Sequence, residues 1–150
     1  MAARKALRHV SRSLTVKTRG FGFYPLGEEL GRCLTDWAAR DGLLSLFLAH
    51  TSASLCIQEN ADPDVLRDLA DALQRLAPFD FPYRHRAEGR DNMPAHIKAL
   101  LTAASLSLPV RSGKLALGVW QEVYLIEHRA APHSRRVELD FIGETADTAA

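Results

Sequence analysis

Cys33 and Cys56 are the only thiols in this 150-residue chain. Neither has a CxxC partner and each falls in an apolar pattern. They read as buried thiols of a reducing cytoplasm rather than as a disulfide framework or a zinc ribbon. No apolar run approaches the length needed to cross a bilayer, and the basic start Met-Ala-Ala-Arg-Lys-Ala-Leu-Arg-His lacks the apolar core of a signal peptide. A net charge of +1 gives no general attraction for nucleic acid or membrane. The P-loop, the GxGxxG fingerprint and the GxSxG elbow are missing. Their absence removes the common nucleotide cradles and leaves Ser52 and Ser54 as weak nucleophiles. There are no internal repeats and no linker.

An apolar fraction of 47% with 25% charged residues is ordinary for a soluble globular protein. A chain of this size, read as one domain over 1–150, buries roughly 70% of the surface its unfolded form exposes. Residues 6–18 suit a first strand, followed by an aromatic loop over 20–25. Leu26, Leu30, Cys33, Leu34 and Trp37 recur at helical spacing, and Asp41-Gly42 ends that helix with a turn. Residues 43–49 form an apolar strand and 52–58 another, hairpinned through His50-Thr51. Asp62-Pro63 starts a second helix, an N-cap with proline at the first helical position, and Pro78 closes it. A third helix begins near Pro94 and buries Ile97, Leu100, Leu101 and Ala104. Strands are expected at 107–111, over 115–127 with a fold-back near Trp120-Gln121, and at 137–142; residues 144–150 form a frayed tail. Strands in adjacent pairs with about three helices predict an α+β domain with a mainly antiparallel, sandwich-like core.

The densest chemistry lies between the second and third helices. Residues 83–96 gather His85 and His96, Arg84, Arg86 and Arg90, two carboxylates and Asn92, with almost no apolar residue. So long a connection without periodicity is either disordered or functional, and Tyr83, Gly89 and the helix that follows favour an ordered loop. Its arginines are a solvated cluster or a diphosphate site, since the guanidinium fork matches phosphate oxygens. The histidines are solvated loop residues or members of one site. With Pro94 in the first helical turn, His96 would sit among unpaired amides that hold anions, with Lys98 adding a point charge. Polar groups also cluster where strands end: His50-Thr51-Ser52, Gln58-Glu59-Asn60, Trp120-Gln121 and Glu127-His128-Arg129. His128 equally describes an exposed strand end; His9 and His133 read as surface residues. Imidazoles with carboxylates suit a divalent ion, although the spacing of His85 and His96 matches no short zinc motif.

In order along the chain, these motifs resemble the YjbQ family, the secondary thiamine-phosphate synthases. The resemblance runs through His50-Thr51-Ser52-Ala53, Glu59-Asn60, Asp62-Pro63, Tyr83-Arg84-His85 and Asn92-Met93-Pro94-Ala95-His96-Ile97-Lys98. It continues through Gly118-Val119-Trp120-Gln121, Glu127-His128-Arg129 and Arg135-Arg136-Val137. Position 119, often threonine in the family, is valine here.

The resemblance implies a sandwich-like α/β domain assembled as a homotrimer. It also implies transfer of a hydroxymethylpyrimidine from its diphosphate to a thiazole phosphate, releasing pyrophosphate. On that reading His50, His85, His96 and Glu127 are catalytic, and the three histidines converge to hold magnesium or zinc. Arg84, Arg86, Arg129, Arg135 and Lys98 take phosphates. Ser52, Asn60, Asn92 and Gln121 bind the substrate, and Trp120 either stacks on a ring or packs in the core. The same residues would also serve a metal-assisted phosphate-ester hydrolase or a non-catalytic binder of a metal or anionic metabolite.

Overall fold

The computed structural model describes residues 7–146. Among them are eight strands and three helices: β1 (Arg8–Lys17), β2 (Gly22–Pro25), α1 (Gly27–Asp36), β3 (Ala39–Leu48), β4 (Ala53–Glu59), α2 (Pro63–Leu76), α3 (Asn92–Leu101), β5 (Ser105–Arg111), β6 (Lys114–Leu115), β7 (Gln121–Glu127) and β8 (Ser134–Thr145). They form a five-stranded sheet, β1-β8-β3-β5-β6, and a three-stranded sheet, β2-β7-β4, with antiparallel pairing throughout. The expected single-domain α+β architecture is present.

Alternation along the strands builds the core between the sheets. Leu44, Leu46 and Leu48 of β3 face inward beside Val137, Leu139 and Phe141 of β8, and meet Leu55, Val123 and Leu125 of the smaller sheet. At roughly 1.5–3 kcal/mol for each large side chain removed from water, this cluster is the main source of stability. α1 adds Leu30, Cys33 and Leu34 to it. Sequences of α2 and α3 lie against β4 of the small sheet. α2 begins where the sequence indicates: Asp62 accepts from the Asp64 amide at 2.9 Å and Pro63 opens the first turn. Such a cap is worth about 1 kcal/mol.

Several boundaries differ from expectation. The aromatic loop holds a strand, β2, whose pairing with β7 needs Gly20 at φ 117, where a Cβ would lie 2.5 Å from the Ala130 carbonyl oxygen. Asp41-Gly42 is not a turn but lies within β3, where the pairing with β8 shifts register. A Cβ on Gly42 would come 2.4 Å from the Ile142 oxygen, so glycine is there for close strand approach. β3 and β4 do not form a hairpin: the 49–52 connection crosses from one sheet to the other. The long apolar stretch does not fold back at Trp120-Gln121. β6 pairs with β5, and 116–120 cross to β7 in the second sheet.

α3 starts two residues before Pro94 and buries Asn92, Pro94, Ala95 and Lys98, while Leu100 and Leu101 are exposed. β8 runs to Thr145, so Glu144 and Thr145 belong to a strand; 147–150 of the expected tail lie outside the described residues. Both cysteines are free. Cys33 is buried, whereas Cys56 is only partly so, its thiol pushed up to about 11 by burial.

Candidate active site

The 77–91 connection is ordered by its own backbone and by β7. Tyr83 donates through its hydroxyl to the Pro78 carbonyl at 2.9 Å, and Arg86 Nε donates to the Tyr83 carbonyl. Arg129, just past β7, donates to Asp91 Oδ2 at 3.0 Å and to the Glu88 carbonyl at 2.8 Å. The Ala130 amide donates to the same Asp91 oxygen at 2.8 Å. Burial acts to raise the Asp91 carboxyl, but the Ala130 amide and Arg129 outweigh it and hold it below the usual carboxylate range. Arg129 is therefore a staple for the loop rather than a free phosphate ligand.

This fixing places His85 against α3. The His85 and His96 rings lie 5.6 Å apart between centroids, at 52°. His85 Nε2 donates to Asn92 Oδ1 at 2.6 Å, and Asn92 is buried. His96 Nδ1 donates to the Thr51 carbonyl at 2.9 Å. Each ring thus keeps one nitrogen lone pair for a ligand, and each has its other nitrogen tied to an oxygen. That is the second partner metal-bound imidazoles normally have.

His85, but not His96, lines a cavity of ≈ 470 Å³ together with Phe79, Phe81, Tyr83, Arg86 and Arg90 among others. Its size falls within the usual range for small-molecule sites, about 300–1,000 Å³. A broader groove of ≈ 1020 Å³ lies near α1, but Arg12 there is paired with Asp36, and Arg32 with Glu28 and Glu29. The smaller cavity carries more of the chemistry.

His50 is turned elsewhere. Its Nε2 accepts from the Arg136 amide at 2.7 Å, which fills the lone pair and leaves the proton on Nδ1. Burial, then Arg135 and Arg136, lowers its affinity for a second proton. The expected three-histidine metal set is not formed within the protomer. Among the described residues no group of three or more His, Cys, Asp or Glu side chains is placed to hold an ion.

The α3 boundary also removes the expected amide cradle. His96 lies beyond the first turn, Pro94 has no N–H, and the Asn92 and Ala95 amides donate to Gly89 and Asp91 carbonyls.

Glu127 and Arg135 form a second cluster that joins the sheets. Arg135 Nε donates to Glu127 Oε1 at 2.9 Å, its NH2 reaches Glu127 Oε2 and Ser52 Oγ, and Thr18 donates to Oε1 at 2.6 Å. Burial pushes the Glu127 carboxyl up, but Arg135 and Thr18 overcome that and hold it below its usual range. Glu127, Arg135 and Ser52 are all buried and mutually satisfied.

Asn60, Trp120 and Gln121 are at the opposite end of the small sheet. Ala53 pairs with Glu127 at one end and Glu59 with Gln121 at the other, six residues or roughly 20 Å away. Trp120 is exposed, and Gln121 lines the α1 groove and accepts from the Gly118 amide at 2.7 Å. Arg84 is exposed on the loop. Lys98 faces away from His96, into the protein.

Sequence reasoning missed Asp91, which ties the loop to β7, and Thr18, which donates to Glu127. It named Ser54 and His128 but not their pairing, Oγ and Nε2 2.8 Å apart, and His128 is buried rather than an exposed strand end. Ser54 interrupts the apolar run of β4, a legible signal that its face meets something polar.

A two-sheet α+β domain with helices on the smaller sheet and an imidazole pair at the loop–α3 junction defines the structural class. The chain belongs to the family described as UPF0047 protein YjbQ-like, whose profile matches residues 12–144. It is 46% identical over 132 residues to a UPF0047 protein of a Synechocystis species, covering 87% of this chain and 90% of the relative. It is 40% identical over 134 residues to UPF0047 protein YjbQ of Escherichia coli, covering 89% and 97%. A conserved hypothetical protein of Thermus thermophilus superposes with TM-score 0.77 at 38% identity, over 85% of this chain and 97% of that one. A protein of unknown function from Sulfolobus solfataricus, at 21% identity and TM-score 0.84, shares the fold over 93% and 100%. Among the described residues, no helix is long and apolar enough to cross a membrane.

Proposed function

We propose that the protein is a thiamine-phosphate synthase-type transferase, coupling hydroxymethylpyrimidine diphosphate to thiazole phosphate. The observation that carries this reading is the oriented His85–His96 pair beside a cavity that combines aromatic rings with Arg86 and Arg90. A planar pyrimidine needs an aromatic wall, and its diphosphate needs guanidinium forks. In the reaction the thiazole nitrogen forms a bond to the pyrimidine methylene as the C–O bond to diphosphate breaks, and pyrophosphate leaves. Such a displacement is served by positioning and charge neutralisation, without a covalent enzyme intermediate. Arg86 and Arg90 neutralise the departing oxygens, Phe81 and Tyr83 orient the ring, and Asn92 fixes His85. A divalent ion, magnesium or zinc, would be held by His85 and His96 and would supply further charge for the leaving group.

The physiological assembly in this reading is a homotrimer in the reducing cytoplasm. Free Cys33 and Cys56 support the compartment. The outer face of the large sheet supports self-association: Leu43 and Ile142 are cross-strand neighbours there, and Phe47 stands exposed on the same face.

The test is product formation from both precursors by purified protein, with and without chelator. Thiamine phosphate made by the untreated protein and lost on chelation supports the reading. Phosphate released from either precursor alone, with no coupled product, overturns it in favour of a hydrolase.

A further inference from the structure

α3 has a second face. Two residues beyond His96, the Lys98 side chain points into the protein and is 5% exposed. Its Nζ lies 5.5 Å from the centroid of Phe21 and 5.4 Å from that of Phe79, and donates to Gln74 Oε1 at 3.1 Å. An ammonium has three N–H donors, and Gln74 takes one. Among the described residues no carboxylate forms an ion pair with it; Asp91 acts on it only as a more distant charge. Burying a cation without a counter-ion is costly, and two ring contacts recover only part of that cost. The neighbours of Lys98 Nζ are one amide oxygen and two aromatic faces.

Lys98 opens on a cavity of ≈ 230 Å³ walled by Phe21, Phe23, Leu73 and Ile126. His128 also lines it, with Nε2 engaged by Ser54 and Nδ1 left for a ligand. The two acidic residues in the lining, Asp71 and Glu127, limit the charge of any occupant. Glu127 is neutralised by Arg135, whereas Asp71 is exposed and would repel a second negative charge. The volume is below that of a drug-sized site, about 300 Å³ at least.

We propose that this cavity binds a small monocarboxylate with a compact apolar body. Its carboxylate pairs with Lys98 and hydrogen-bonds to His128, and its hydrocarbon part packs between Phe21, Phe23 and Leu73. The site is separate from the His85–His96 cavity and does not depend on the reaction proposed there.

The test is titration of the full-length protein with benzoate, followed by calorimetry and ligand-observed NMR. Benzamide serves as the neutral isostere and inorganic phosphate as the competitor. Benzoate binds, benzamide binds at least about tenfold more weakly because it lacks the charge-assisted bond, and phosphate does not compete. Lys98→Met and Ala70→Phe, the latter filling the mouth from α2, each weaken benzoate at least about tenfold. Should Lys98→Met not fold, Ala70→Phe and the benzamide comparison decide alone. Equal binding of benzamide, displacement by phosphate, benzoate binding unchanged in Ala70→Phe, or no benzoate binding up to its solubility would each overturn the assignment. So would loss of benzoate binding in His85→Ala, which would put the ligand in the other cavity.

Discussion

His85 donates to the buried amide oxygen of Asn92 at 2.6 Å, although His85 belongs to a loop and Asn92 to the first turn of α3. This one bond sets the tautomer of an imidazole whose ring is 5.6 Å from that of His96. A helix residue with almost no exposure therefore controls a group at the surface.

Replacing Asn92 by Leu keeps bulk inside the helix–loop junction and removes the acceptor. Divalent-ion affinity and turnover should both fall, by about 10–100-fold, as for other residues that orient metal-bound imidazoles. Metal titration of folded variant and parent measures this; an unchanged affinity would separate Asn92 from the site.

The Glu127–Arg135 pair governs acid stability at one end of the fold. The folded carboxyl titrates below its ordinary value of 4.5. Its contribution is complete above that ordinary value and is lost as pH falls through the lower, folded one. Glu127→Gln leaves Arg135 buried without its counter-charge and should cost about 3–5 kcal/mol at neutral pH. Denaturant unfolding at pH 7 and pH 3 checks both: the gap between parent and variant should narrow at the lower pH.

His128 acts in a different window. Burial, then the charge of Lys98, lowers it from 6.5 to about 4. The unfolded chain binds a proton that the folded protein refuses, so stability is full above 6.5 and declines as pH falls toward 4. The loss is of order 2–3 kcal/mol across that span. Thermal unfolding between pH 7 and 4.5 should slope downward in the parent and flatten in His128→Gln. NMR should find His128 still neutral at pH 5; a His128 ring already protonated there would contradict its burial.

The outer face of the large sheet carries the assembly prediction. Phe47, Leu43 and Ile142 alternate outward while Leu44, Leu46 and Leu48 fill the core. Phe47→Lys should leave the melting of the protomer fold nearly intact and shift sedimentation from trimer to monomer. A trimer that survives the change would place the contact elsewhere.

The sequence made the start of α2 legible because Asp62-Pro63 supplies a cap and a first-turn proline, but not its packing: none of its residues is fully buried and Leu76 is exposed. Most strands were legible as runs of alternating or continuous apolar residues, but β2 was not, because its four residues read as an aromatic loop. Which sheet each joined was not, since Leu115 and Val123 have similar local character and only long-range pairing sends them to different sheets. The same limit governs the site. His85, Asn92 and His96 are close in sequence, and their meeting follows from one loop and one helix. His50 also lies near His96 through Thr51, but its ring is claimed by Arg136, 86 residues away. Asn60, Trp120 and Gln121 resemble site residues in type, yet strand register carries them to the far end of the small sheet. Lys98 reads as a point charge beside His96, but Gln74 of α2 and two phenylalanines close over it on the helix's other face.

The most direct measurement is equilibrium binding of hydroxymethylpyrimidine diphosphate to the metal-loaded protein, its His85→Ala variant and an Arg86→Ala/Arg90→Ala variant. The account predicts saturable binding to the parent, at least about tenfold weaker binding to each variant, and unchanged thermal melting in all three. Equal affinity across the three proteins would contradict it, because the ligand would then be held somewhere other than the cavity beside His85 and His96.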